Sequence, residues 1–460
     1  MIVTIRPSKA SGRVQAPPSK SMAHRLLLCA GFSAGTSEIS NVDFSDDILA
    51  TLDCLRALGA KIVCKESRVI ISGINPGEVS HPGVLPCREC GSTLRFMIPA
   101  CLMSGQEMCL TGSGTLFARP LNVYEDICRE QKMLFEKREN SLTVAGKLSA
   151  GRYVFPGNIS SQFVSGLLLA LPLLEKSSTI TLLPPVESRP YIDLTLDALA
   201  QFGVKTALVP ADGMEGGSVR TAPADGMESG SMGTALADGM ASGSVGTAPA
   251  EGMEGGSAGT APSDAASSPL VIYVPGGQSY QAGNHEVEGD YSNAAFFEAL
   301  TLLGGNVEVD GLKEGSLQGD RIFREHFARL QEGFAEADLS DCPDLGPVLM
   351  AAAAALHGGR FTGTRRLKYK ESDRGAAMKQ ELGRMNVRVD VSENEIVVYP
   401  GLSRPQEILD GHDDHRIVMA LAVLLSMTGG SLRGTEAVAK SFPDFFDRLK
   451  KLGIKMHFEK

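Results

Sequence analysis

Six stretches of this 460-residue chain share one plan, and only a fold with a repeated buried helix accommodates them. Each has a polar or charged start, an apolar run of about a dozen residues and often a closing glycine. They are SKSMAHRLLLCAG from Ser19, GSTLRFMIPACLMSG from Gly91, SSQFVSGLLLALPLL from Ser160, DYSNAAFFEALTLLGG from Asp290, PDLGPVLMAAAAALHGG from Pro343 and DHRIVMALAVLLSMTGG from Asp414. The apolar residues surround the whole helix instead of forming one stripe, so each helix belongs to an interior. A second, amphipathic helix follows, marked by apolar residues at i, i+4 and i+7. Ile192, Leu196 and Leu199 show it, as do Phe323, Phe327 and Leu330; Met378, Leu382 and Met385; and Phe445, Leu449 and Leu452. Strand-like runs such as KIVCK, VRVDV and IKMHF come next. The unit after Arg119 is the least regular, because QKMLFEKREN blurs the period. Six units, about 55 to 80 residues apart once a low-complexity insertion is set aside, predict an α/β chain of two domains with three units each. A chain of this length also exceeds what one core serves.

A helix N-terminus carries roughly half a positive charge and unpaired N–H groups. Buried helices that share a direction aim several such ends at one place, which suits anions. The polar residues at the helix starts fit this expectation. Lys20, Ser21 and Arg25 bring an ammonium, a hydroxyl and a guanidinium to the first helix behind Pro17 and Pro18. Ser160, Ser161 and Gln162 lead a helix too apolar for the surface, where one serine would suffice as a cap. The run RRLKYKESDR ends with Lys370, Glu371 and Arg374; Asp414, His415 and Arg416 stand before another apolar helix, and Lys440 precedes SFPDFF. Burying so many charges without a ligand costs several kcal/mol per ion, so a multiply charged anion is expected among them. His412, Asp413, Asp414 and His415 do not predict a metal centre, since consecutive residues rarely converge on one ion.

The insertion at 211–262 holds four tandem copies of a 13-residue unit rich in Gly, Ala and Ser, from ADGMEGGSVRTAP to AEGMEGGSAGTAP. It has too few apolar side chains to offset its ordering entropy and reads as a disordered loop. The flanking runs TALV and LVIYV read as the arms of one hairpin from which it hangs. Elsewhere, the longest nearly apolar stretch, 163–174, is short of the roughly 20 residues of a membrane span. The start, MIVTIRPSKA, lacks the apolar core of a signal peptide, so a cytoplasmic location is expected. Nine cysteines without regular spacing read as reduced thiols. A net charge of -10 argues against a nucleic-acid partner, while leaving room for a local basic pocket.

These motifs occur in the order found in one family. SKSMAHR, GSTLRF, SSQF, SRPYID, EGDYSNAAFF, Pro343-Asp344, KESDR, DDHR and KSFPDFF make the chain resemble the 5-enolpyruvylshikimate-3-phosphate synthases over essentially its whole length outside the insertion. The resemblance implies a two-domain enolpyruvyl-transferase fold, an inside-out α/β barrel with three units of buried parallel helices per domain and the active site in the cleft. Its expected division is residues 1–17 plus 288–460 as one domain and 18–287 as the other, with chain crossings near Pro18 and Glu288. It further implies transfer of the enolpyruvyl group of phosphoenolpyruvate to the 5-hydroxyl of shikimate 3-phosphate on the route to chorismate and the aromatic amino acids. No metal or organic cofactor is implied, and a monomer is expected.

By the same resemblance Ser160, Ser161, Gln162 and Ser188 hold the shikimate phosphate, with Arg25, Ser21 and Tyr191 at the ring or its carboxylate and Lys370 also on this substrate. Arg119, Arg374, Arg416, Lys440 and Gln162 hold phosphoenolpyruvate, Gly91 lies close to it, and Lys20 reaches both. Asp344 is the candidate for the hydroxyl proton and Glu371 for the methylene proton, with Lys20 assisting; which group acts in which stage stays open. His415 is expected to position Glu371 or phosphate. Arg88 and Cys90 stand where related sequences often have Gly and Ser, Asn293 replaces a frequent Ser and Lys368 a frequent Arg. The first pair bears on phosphoenolpyruvate affinity, whereas the retained Gly91 predicts that a mimic such as glyphosate fits. Three alternatives share parts of the pattern: a UDP-N-acetylglucosamine enolpyruvyl transferase, a non-catalytic anion-binding relative, and RNA 3'-phosphate cyclase. The paired serines and KESDR disfavour the first, and length and acidic charge disfavour the last.

Overall fold

The computed structural model describes residues 1–113, 115–210 and 268–459. Among them, twelve α-helices alternate between an inner and an outer position. The inner ones are α1 (Lys20–Gly31), α3 (Gly91–Cys101), α5 (Ser161–Ala170), α7 (Tyr291–Leu302), α9 (Gly346–Ala355) and α11 (His415–Thr428). The outer ones are α2 (Asp46–Ala57), α4 (Asn122–Glu130), α6 (Arg189–Gln201), α8 (Phe323–Glu332), α10 (Arg374–Arg384) and α12 (Phe445–Lys451). Burial follows the pattern of apolar residues. Every residue of α11 from 415 to 426 is buried, whereas α12 buries only Phe445, Phe446 and Leu449. A buried Leu or Ile contributes about 1.5–3 kcal/mol, so Ile417, Leu421, Leu424 and Leu425, all at 0% exposure, hold α11 inside although its first turn carries His415 and Arg416.

The strands repeat as the helices do. In each of five four-stranded sheets two antiparallel strands extend a parallel pair, as in the order Arg152–Pro156, Ser178–Leu183, Leu270–Val274, Ala207–Val209. In four the pair flanks an inner helix in the chain, and in the fifth Thr36–Ser40 after α1 pairs with Asn284–Glu286 before α7. The sixth unit keeps only the parallel pair, Ser11–Gln15 with Asn306–Asp310, because the chain passes from α8 directly into Ala335–Asp338, the first strand of the next unit. Strand Ile2–Ile5 lies between Gly430–Arg433 and Met456–Glu459, so the chain starts and finishes in one half.

Two hydrophobic cores result. One gathers residues between Met22 and Val287; the other gathers Val3 to Val14 with Tyr291 to Ile454. The connections between them run side by side: Ser19 N donates to Glu288 O at 2.7 Å, Asp290 N donates to Pro17 O at 2.7 Å, and Pro18 bridges Gly289.

TALV and LVIYV are hairpin arms, with Leu208 opposite Ile272; the loop expected between them, 211–262, lies outside the described residues. The blurred period of QKMLFEKREN has a simple cause. Helix α4 ends at Glu130, Lys132 turns the chain at φ 57°, and Leu134–Lys137 is already a strand. The cysteines are not all irregularly spaced as expected, since Cys87 and Cys90 stand as a Cys-x-x-Cys pair; both thiols are buried and free. Among the described residues no helix is long and apolar enough to cross a membrane.

Candidate active site

Four inner helices, α1, α3, α5 and α11, begin on one cavity of about 300 Å³ between the two cores, and Asp344, just before α9, lines it too. Its wall comprises nine Lys and Arg side chains against three carboxylates, Asp47, Asp344 and Glu371. The helix starts are built by short caps: Ser19 accepts from Met22 N, Cys90 Sγ from Thr93 N, Ser160 from Gln162 N and Asp414 from Arg416 N. Each cap satisfies one N–H of its helix and leaves others for a ligand.

The first half supplies the start of α1 and its neighbours. Lys20 Nζ lies 2.8 Å from Asp47 Oδ2. Burial works against its charge, but Asp47 and Glu371 outweigh this and hold the ammonium above its usual pKa. Arg25 is 2% exposed and spends four of its five N–H groups on Thr195, the Ser21 and Tyr191 carbonyls and Ser165. Burial lowers it to about 10, still charged at neutral pH. Gln162 accepts from Arg95 Nη1 at 2.6 Å and donates to Ser92 Oγ at 2.8 Å, so its amide orientation is set from both ends. Gly91 has a steric reason: a Cβ there would stand 2.7 Å from Arg119 Nη1 and 3.2 Å from Arg95 Nη1. Nε of Arg95, Nε of Arg119 and both ring nitrogens of His415 are buried without a partner on this wall, which fits a pocket shaped for an anion.

The second half is organised around Arg374, 1% exposed. Its guanidinium donates to Asp414 Oδ2 at 2.8 Å, Asp344 Oδ1 at 2.8 Å and Glu371 Oε2 at 2.7 Å. Asp344 also receives Lys370 Nζ at 3.2 Å and Arg416 Nη2 at 3.1 Å. Burial opposes ionisation of Asp344, yet Arg416, Lys370 and Arg374 hold it well below the usual carboxylate range. Glu371 is held down likewise by Arg374, Arg119 and Lys20 against burial. Burial and then Lys20 push His415 well below 6.5, so its ring is neutral at physiological pH. Asp344 and Glu371 are therefore both carboxylates at neutral pH, embedded among cations.

Of the residues singled out in the sequence, Lys20, Ser21, Arg25, Gly91, Arg119, Ser160, Ser161, Gln162, Ser188, Tyr191, Asp344, Lys370, Glu371, Arg374, His415 and Arg416 line this cavity. Lys440 does not. It stands between the halves, 2.8 Å from Glu89 and 2.7 Å from Asp413. Arg88 turns away to Asp46 and Asp53, while Cys90 takes the cap position directly. The residues 412–415 do not converge, since His412 pairs with Glu381 and Asp414 with Arg374. Another set, His24, Asp47 and Cys90, brings ligand atoms within 4.8 Å, but Asp47 is held by Lys20, His24 by Thr51 and the Cys90 sulfur by Thr93 N. Sequence reasoning missed Arg95, Asp47, Arg366 and Asp320. Arg95 carried a signal, one helical turn after Gly91 in GSTLRF, and Arg366 lay within the charged run RRLKYKESDR; Asp47 and Asp320 carried none.

With this geometry in place, comparison with known proteins is decisive. The sequence profile described as EPSP synthase (3-phosphoshikimate 1-carboxyvinyltransferase) matches residues 5–216 and 261–449. The chain belongs to the EPSP synthase family. It is 35% identical over 472 residues to the 3-phosphoshikimate 1-carboxyvinyltransferase of Clostridium kluyveri, covering 98% of this chain and 97% of that protein. It is 34% identical to that of Clostridioides difficile, covering 98% and 97%. The solved structure of EPSP synthase from Acinetobacter baumannii shares its fold, with a TM-score of 0.69 at 20% identity over 100% of both chains. The two-core α/β architecture is thus the fold of the EPSP synthase family.

Proposed function

We propose that this protein transfers the enolpyruvyl group of phosphoenolpyruvate to the 5-hydroxyl of shikimate 3-phosphate, releasing inorganic phosphate, in the route to chorismate. The observation that carries the reading is the cavity between the halves, where nine cations face three carboxylates, in a chain whose curated relatives are named for this reaction. Two substrates that each carry several negative charges need such a wall, and each charge-assisted bond contributes about 1.5–3 kcal/mol.

In this reading Ser160, Ser161, Gln162 and Ser188 take the acceptor's phosphate, Ser21, Arg25 and Tyr191 its ring and carboxylate, and Lys370 and Asp344 its hydroxyls. Arg25 contributes the one N–H it has left, on Nη1. Arg119, Arg416 and the remaining Nη1 hydrogen of Arg374 take the donor, with Gln162 and Lys20 beside them and Gly91 leaving the space. Lys440 joins the donor by exchanging Glu89 for it. Asp344 receives the acceptor's hydroxyl proton as oxygen attacks the enol carbon; Lys20, held as the charged ammonium, supplies the proton that reaches the methylene carbon, directly or by way of Glu371. Phosphate then leaves from the tetrahedral adduct. His415, neutral and with both ring nitrogens unpartnered, offers a hydrogen bond that would position Glu371 or phosphate once the substrates are bound.

The division 1–17 plus 288–460 and 18–287 belongs to this reading: the paired connections at Pro17–Ser19 and Glu288–Asp290 would act as the hinge, and closure would exclude water from the adduct. Mass spectrometry of reaction mixtures tests acceptor choice. An enolpyruvyl adduct formed from shikimate 3-phosphate and none from UDP-N-acetylglucosamine is expected; the reverse, or binding of both substrates without any adduct, would replace the reading by one of its rivals.

A further inference from the structure

Behind the acceptor wall, Tyr191 of α6 places its phenol between two carboxyl groups of the other half. Its oxygen lies 3.2 Å from Asp320 Oδ2 and 3.3 Å from Asp344 Oδ2. A phenol has one proton to donate and serves one carboxyl at a time. Asp344 has other partners, being bonded to Arg416, Lys370 and Arg374. Asp320 is 4% exposed, and among the described residues its side chain has that phenol as its hydrogen-bond partner, with Oδ1 buried and unpaired. The groups around it are Asp344 and Cys342 before α9, Asp290 at the cap of α7, Arg416 of α11 and Tyr191 of α6. Burial and then Asp344 push Asp320 up to about 7, with Arg416 opposing and Asp290 adding. A buried carboxyl next to a carboxylate is where one of the two retains a proton near neutrality.

We propose that Asp320 is a positioning residue of the reaction, which accepts through the Tyr191 phenol the proton that Asp344 takes from the acceptor's hydroxyl. The proposal rests on the enolpyruvyl-transfer reading. The hydroxyl proton passes to the Asp344 carboxylate and on to the phenol oxygen, while the phenol's own proton passes to Asp320 Oδ2. One O–H bond breaks on the acceptor and one forms on Asp320; Asp344 and Tyr191 end as they began, and the freed electron pair on the acceptor oxygen forms the bond to carbon. The direction follows from the surroundings. Three cations favour the bare carboxylate on Asp344, whereas the unpaired oxygen of Asp320 gains from a proton, which leaves for solvent when product departs.

The test compares wild type, D320N, D320E and Y191F. Because Asp320 must be ionised to accept, wild-type kcat should rise with pH through about 7. D320N should lower kcat about tenfold or more with KM within about twofold, and abolish that limb. D320E should restore the limb, and Y191F, which keeps the ring, should lose it as D320N does. An unchanged limb in both D320N and Y191F, or loss through KM or Tm alone, would overturn the proposal. Infrared spectra of the substrate-free protein separate it from the parent reading: a protonated-carboxyl band titrating near 7 and missing in D320N is expected. Its absence from wild type would overturn the Asp320 assignment even in an active enzyme, and its presence in a chain that does not turn over would leave the failure with the enolpyruvyl reading.

Discussion

Arg374 shows how the site and the stability of the second half depend on the same atoms. Three carboxylates from three segments converge on its guanidinium. Removing one partner of a buried charge cluster leaves the others uncompensated, which costs about 3–5 kcal/mol. R374Q should therefore lower unfolding stability by about that amount in urea titrations, as well as abolishing turnover. Gly91 acts by shape. G91A should push the Arg119 guanidinium into the donor site, raising KM for phosphoenolpyruvate several-fold and weakening a compact mimic such as glyphosate more than the substrate; steady-state inhibition reads both. The acids also give stability a signed pH dependence. Asp344 and Glu371 have depressed folded pKa values, so their stabilisation is complete above the ordinary carboxylate range and lost as pH falls through those lower values. Asp320 is the opposite case, raised from 3.8 to about 7: its contribution is present below 3.8 and lost as pH rises through 7. D320N should consequently raise Tm at about pH 8 and gain less at about pH 5. Lys20, Ser160 and Arg416 were legible as site residues because they open helices too apolar to be exposed. Asp320 was not legible, because a buried acid and a solvated one look the same in sequence until the fold packs Tyr191 and Asp344 against it.

At the scale of elements, the apolar runs identified the six inner helices, since only an interior tolerates apolar residues all round. The missing hairpin of the sixth unit was hidden. It arises from the direct passage between α8 and Ala335–Asp338, and no residue pattern announces an element that is not there. The hairpin around the insertion was visible in TALV and LVIYV. Its arms pair at Ala207, Leu208 and Val209 with Tyr273, Ile272 and Val271, so the sheet is complete without the residues between. Replacing 211–262 by a short Gly-containing turn should leave Tm within about 2 °C and kcat unchanged; calorimetry and a phosphate assay check this.

For the whole molecule, a chain of net charge -10 concentrates cations where its two halves meet. Ion pairs cross that boundary outside the cavity wall as well as on it: Arg366 lies 3.0 Å from Glu187 and Lys440 2.8 Å from Glu89. If the halves close as proposed, the Arg366–Glu187 pair would help hold them together, so E187Q should weaken closure, read as a larger radius of gyration by X-ray scattering with both ligands present. The central claim is that this boundary performs enolpyruvyl transfer with Glu371 among its acid–base groups. Phosphate release by wild type and by E371Q, with shikimate 3-phosphate and phosphoenolpyruvate added singly and together, tests it most directly. The account predicts release only when both are present and a collapse of about a hundredfold or more in the variant; release from one substrate alone, or an undiminished rate in E371Q, would contradict it.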